Sequence, residues 1–223
     1  GLFHKKLGKN DSEIKNILFR SQHIVGKPAE VSLYRLWAIN QGGASSSDSV
    51  RCEEDEIEIL PHYGYPLQFS VWLQYMGQKE LGRAYTTLVY ADGNWVLGSW
   101  HFQQWTHQGK DAQKWVQEAL VYKEAKHNFA SFVKIDMARK LLEGGGHLTH
   151  DIEKSMIAFQ NELYPDNSWD KEIKSKLPTF EVVYTGTILA KDGAGVMVRF
   201  IIDPKIKLNE LKSMCLKMAK SLY

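Results

Sequence analysis

Leu67-Gln-Phe-Ser-Val-Trp-Leu-Gln-Tyr75 reads most clearly as a strand. Leu67, Phe69, Val71, Leu73 and Tyr75 fall on one side of an extended chain, and Gln68, Ser70 and Gln74 fall on the other with Trp72. Such alternation has the two-residue period of a β-strand. Gly77 to Gly82 reads as a turn, and Arg83 to Ala91, rich in Tyr and Thr, reads as a second strand. Asp92-Gly93 is the dipeptide of a two-residue type I′ turn, because both positions accept positive φ. Asn94 to Thr106 then makes a third strand. Residues 67–106 are therefore expected to form an antiparallel meander.

Upstream, Val31 to Ile39 is rich in residues that suit a pleated surface and follows Pro28, so it reads as a strand. Gln41-Gly-Gly-Ala-Ser-Ser-Ser-Asp-Ser49 reads as a loop. Asp11 is a candidate cap for a short helix through Arg20, with Ile14, Ile17 and Leu18 as its stripe, and residues 1–10 read as a mobile tail. Downstream, Ala112, Trp115, Val116 and Ala119 have helical spacing, and the pattern resumes from Phe129 to Leu141 until Gly144-Gly-Gly146 ends it. A helix over 150–163 stops at Pro165, and a short one runs near 169–176. A second hairpin is expected around Asp192-Gly193. Asp203-Pro204 is read as the start of a terminal helix buried through Leu208, Leu211, Cys215, Met218 and Leu222. Strands grouped in hairpins argue against a doubly wound parallel sheet. The expected class is α+β: an antiparallel meander with helices packed on one face, plus a C-terminal β-hairpin and helix. One domain over 11–223 is expected, with 144–147 as the place for any subdivision.

The chain has 223 residues, 43% hydrophobic and 24% charged, which excludes a disordered chain or a collagen and marks a soluble globule able to bury a core. Its net charge of +2 gives no reason to expect nucleic acid. Cys52 and Cys215 match no metal or redox spacing, and whether they pair is left open. Gly1 stands where an initiator Met is usual, so a removed leader is entertained and extracytoplasmic placement is favoured over cytoplasmic.

Two groups of side chains stand out as sites. Trp95, His101, Gln103 and Trp105 alternate along the third strand with Leu97 and Ser99 between them. Rings with amide and imidazole groups suit a planar or sugar ligand. The alternative is that these are half-buried residues beneath the helices. His147, His150 and Asp151 are the compact metal-competent set, set against the simpler reading that Thr149 caps the helix that follows. Glu53-Glu-Asp-Glu56 is read as a solvated run. No Walker loop, Gly-x-Ser-x-Gly elbow or dinucleotide fingerprint occurs.

The expectation is a non-enzymatic binding or accessory domain, with a small ligand or a protein partner at an aromatic sheet face and no cofactor. One alternative is a hydrolase-like enzyme using His101 or the His147–Asp151 group. The other is a basic-surface adaptor for membrane or nucleic acid working through Lys205, Lys207, Lys212, Lys217 and Lys220.

Overall fold

The computed structural model describes Phe19 and residues 25–26, 28–40, 50–52, 57–62, 64–143, 148–190 and 193–222. The expected helix over 11–20 (Phe19 apart), the loop over 41–49, the acidic run 53–56 and the tripeptide 144–146 lie outside the described residues. The chain divides into two compact units: Gly1–Trp115 with Ala138–Met156, and Val116–Met137 with Ile157–Tyr223.

The first unit is built on a four-stranded antiparallel sheet of β1 (Pro28–Asn40), β4 (Leu67–Gly77), β5 (Leu81–Ala91) and β6 (Asn94–Gln104), in the order β1-β4-β5-β6. The meander expected from the sequence is present and gains β1 as an edge. Asp92 and Gly93 have φ of 51° and 79°, as a type I′ turn requires. β2 (Val50–Cys52), β3 (Ile57–Ile59) and β7 (Leu148–His150) form a second small sheet, in the order β2-β3-β7. No local pattern announces β7; it becomes a strand by pairing Leu148 with Ile59 and His150 with Ile57.

Two irregularities set which side chains share a face. On β1 the register slips between Leu33 and Arg35, so Tyr34 is an extra residue. On β6 Thr87 pairs with Ser99 but Leu88 pairs with Leu97, which leaves Gly98 extra. A bulged residue reverses the alternation beyond it. Gly98 suits the position because a methyl there would stand 3.0 Å from Val89 and 3.2 Å from the Thr87 carbonyl.

An antiparallel sheet ordinarily buries its apolar side. Here the polar side is buried: Gln68, Ser70, Trp72, Arg83, Tyr85, Thr87, Ser99 and Gln103 are all enclosed. Ile57, Ile59 and Leu148 of the small sheet pack there with Ile39, Trp72 and Tyr85.

Two helices pass from one unit to the other, α1 (Ala112–Glu124) and α2 (Asn128–Lys140). Lys126, at φ 62°, ends α1 in the left-handed conformation, with its N–H bonded to the Lys123 carbonyl. The second unit then contains α3 (Ile152–Leu163), whose first turn lies in the first unit, and α4 (Ser168–Lys176). The hairpin β8 (Glu181–Ala190) and β9 (Gly193–Ile201) and the helix α5 (Leu208–Leu222) complete it. Its core holds Phe132, Leu163, Tyr164, Trp169, Ile173, Leu177 and Met218, with Phe132 stacked on Trp169 at 4.7 Å. Asp136 accepts hydrogen bonds from Gln160 and Thr187.

The terminal helix differs from its sequence reading. Asp203 accepts the Lys205 N–H at 2.8 Å and so forms a turn, and the helix begins only at Leu208. Its inward stripe is Leu211, Met214 and Met218, whereas Leu208 and Leu216 are exposed. Cys215 is also exposed and carries a free thiol; the Cys52 side chain lies outside the described residues. No described helix is long and apolar enough to cross a membrane.

Candidate functional site

On the polar side of the sheet, Arg83 is the centre. It is 7% exposed, and its guanidinium lies 3.3 Å from the centroid of Trp105 and 3.9 Å from that of Tyr34. Rings, which attract a cation through their π faces, sandwich it. Burial lowers its pKa from the ordinary value, opposed by the neighbouring Tyr85 and Tyr34 phenols. Burial likewise pushes the Tyr85 phenol upward, opposed by Arg83.

The remaining polar groups on this side hold distant pieces of chain. Gln68 is fully buried; its Oε1 accepts the His62 N–H at 2.8 Å, and its Nε2 donates to the carbonyls of His62 (2.8 Å) and Tyr65. Gln103 Nε2 donates to the Lys140 carbonyl at 3.2 Å, and His101 Nε2 lies 3.1 Å from the Glu143 carbonyl. These carbonyls belong to the end of α2 and the residues just after it, where the helix leaves acceptors without internal donors. Ser99 donates to Thr87 at 2.9 Å. Between them lies a small cavity of about 10 Å³, lined by Ser70, Thr87, Ser99, Tyr85 and His101 among others. That is space for about one water and no larger ligand.

The expected ligand residues are thus separated. His101 and Gln103 share the polar side, and Trp105, just beyond β6, stacks there on Arg83. Trp95 lies on the opposite side, because the Gly98 bulge reverses the alternation between them. His150 joins the polar group from β7, with its ring 6.1 Å from Trp105 and 6.2 Å from Trp72. Of the metal-competent set, His147 lies outside the described residues, and Asp151 pairs with Lys154 at 3.2 Å. No group of three metal-ligating side chains occurs among the described residues. Thr149 sits within β7, and it is Glu153 that reaches back from α3 to accept the His150 N–H at 3.0 Å.

The other side of the sheet is open along its margins, while Ala84 and Thr86 on β5 are buried and Val25 packs at the Gly82 end. It carries Val31, Leu33, Leu36 and Ala38 from β1, the alternating set Leu67 to Tyr75 from β4, Leu88 and Tyr90 from β5, and Trp95, Leu97, Trp100 and Phe102 from β6. None of the side chains it presents is an Asp, Glu, Lys, Arg or His. Leu33 is 59% exposed, Leu36 53%, and Tyr90 and Trp95 43% each. Trp95 packs on Phe69 at 4.8 Å and edge-on to Tyr90 at 5.3 Å. The tip of the Phe102 ring lies against Gly82, in the space that a side chain at this position would fill.

A contiguous apolar surface on this scale is rare on a chain that works alone. The sequence offered its pattern but not its exposure. Comparison with known proteins adds no assignment: no protein-family model, curated protein or solved structure matches the chain.

Proposed function

We propose that this chain is a protein-docking module, not an enzyme, and that the apolar side of its four-stranded sheet is the docking surface. One observation carries the reading: a sheet face without an Asp, Glu, Lys, Arg or His side chain, with Leu33, Leu36, Tyr90 and Trp95 open to solvent, on a sheet whose polar side is buried. Removing such a face from water is strongly favourable, at roughly 25 cal/mol per Å². The aromatic anchors Tyr90 and Trp95 are of the type that dominates binding energy at interfaces. His101 fits this reading, since it is occupied at the end of α2 and stacked on Tyr85, which supports a structural role.

Hydroxyl-radical footprinting of the full chain at high dilution tests the proposal. Leu33, Leu36, Tyr90 and Trp95 are expected to be modified readily. Strong protection of all four at high dilution would mean that the face is already covered within one chain, and the reading would be wrong.

A further inference from the structure

We infer that the occupant of this face is a second copy of the chain, packed sheet against sheet; the inference rests on the docking reading above. Area is the first argument. Four strands of about eleven residues, at strand spacings near 4.8 Å, present a flat projection of roughly 700 Å². Standard interfaces take about 600–1,000 Å² from each partner, so the face falls within the size a dimer needs.

Charge is the second argument. A docking face built for a foreign partner commonly carries charges that steer it and reject competitors. The same charges would repel an identical face. This face has none, so two copies meet without a like-charge clash.

Relief is the third. The β6 margin is tall, with Trp95, Trp100 and Phe102; the β1 margin is low, with Val31, Leu33, Leu36 and Ala38. A two-fold axis running along the strands sets β6 of each copy over β1 of the other, rings against short aliphatic side chains. An axis across the strands would set rings on rings and leave the β1 margins apart. The first arrangement is self-complementary, as a two-fold interface must be, and it suits the aligned packing of β-sandwiches about 10 Å apart.

Sedimentation velocity of the full chain, from submicromolar to high micromolar concentration, is the first test. A reversible monomer–dimer equilibrium is expected. Leu33→Glu combined with Leu36→Glu should weaken it at least ~100-fold, because uncompensated charges would have to be buried. Val183→Glu, on an exposed apolar residue of β8, should leave it unchanged. A benzophenone side chain placed at position 33 should crosslink to residues 94–104 of the second copy. This arm still decides the matter if the double variant fails to fold. A monomer throughout the range, a dimer indifferent to the two glutamates, or crosslinks confined to other segments would each overturn the inference. Footprinting separates the two failures. A monomer whose face is readily modified removes only the second copy, whereas a monomer whose face is protected removes the docking reading as well.

Discussion

Replacing Gln68 by Met removes three hydrogen bonds while keeping the length of the side chain. The amide is fully buried and joins β4 to the turn that precedes it, through the His62 N–H and the carbonyls of His62 and Tyr65. Each such bond contributes about 0.5–1.5 kcal/mol net, and a group left without a partner costs about 1–3 kcal/mol. His62 and Tyr65 are themselves only half-buried, so water can reach part of the turn once it loosens. The low end of the range therefore applies, giving a loss of about 3 kcal/mol. With a urea m-value of about 1–3 kcal/mol/M, the unfolding midpoint should fall by roughly 1–3 M. Tryptophan fluorescence is a suitable probe, because Trp72 is 2% exposed on the same strand. Gln68→Glu sharpens the test: at neutral pH its carboxylate keeps the His62 N–H but faces two carbonyls, so it should be less stable than Gln68→Met. Protonation restores a donor, so the Glu variant should gain stability as pH falls. A loss below ~1 kcal/mol for Gln68→Met, with an unchanged slope, would show that these bonds are not what holds the turn.

Three other substitutions have defined outcomes. Gly82→Ala drives a methyl into the Phe102 ring, and thermal unfolding should show a loss of about 1–3 kcal/mol; an unchanged melting temperature would mean that the ring is not pinned. Arg83→Met should cost less than ~1 kcal/mol or even stabilise, since the charge is held by rings in a buried site, while Arg83→Ala should cost about 3 kcal/mol for the gap between Tyr34 and Trp105. Equal losses for the two would make the charge itself the stabilising element. Glu153 has its pKa raised from 4.5, mainly by burial, so the folded chain holds that proton more tightly than the unfolded chain. Its contribution to stability is therefore greatest at low pH and declines as pH rises from 4.5 through the folded value. Glu153→Gln, which still accepts from His150, should flatten that part of the stability–pH curve; an unaltered slope in urea titrations would assign it to another group.

What was legible in the sequence was what local chemistry decides. Alternation from Leu67 to Tyr75, the Asp92-Gly93 turn and the spacing of Ala112, Trp115 and Ala119 each act over a few residues, and each gave the observed element. What stayed hidden depends on distant chain. Alternation divides a strand into two sides without saying which one is covered, and here the cover comes from β3 and β7. Leu148-Thr-His150 has no strand signature of its own. Gln103 reads as a ligand contact until the Lys140 carbonyl is placed beside it. Simple alternation across Gly98 would put Trp95 on the side of His101; a glycine inside a strand is the available sign of a bulge. The terminal helix has apolar residues around more than one stripe, so its buried side is chosen by the core cluster that Met218 joins.

The buried polar side has a consequence for synthesis. β1 to β6 are complete once Gln104 has left the ribosome, but β7, which helps cover them, follows only after α1 and α2. At about 5–20 residues per second this leaves the sheet without the β7 part of its cover for a few seconds. Hydroxyls and amides lose nothing in water during that interval. Ile39, Trp72 and Val89 are the costly exceptions, and Trp72, the largest, is sheltered by its own sheet, stacked on Tyr34 and edge-on to Trp37 from β1. A nascent chain that must wait for its cover keeps solvated the side it will later bury, which makes delayed closure tolerable for a fold whose covering strand comes so late.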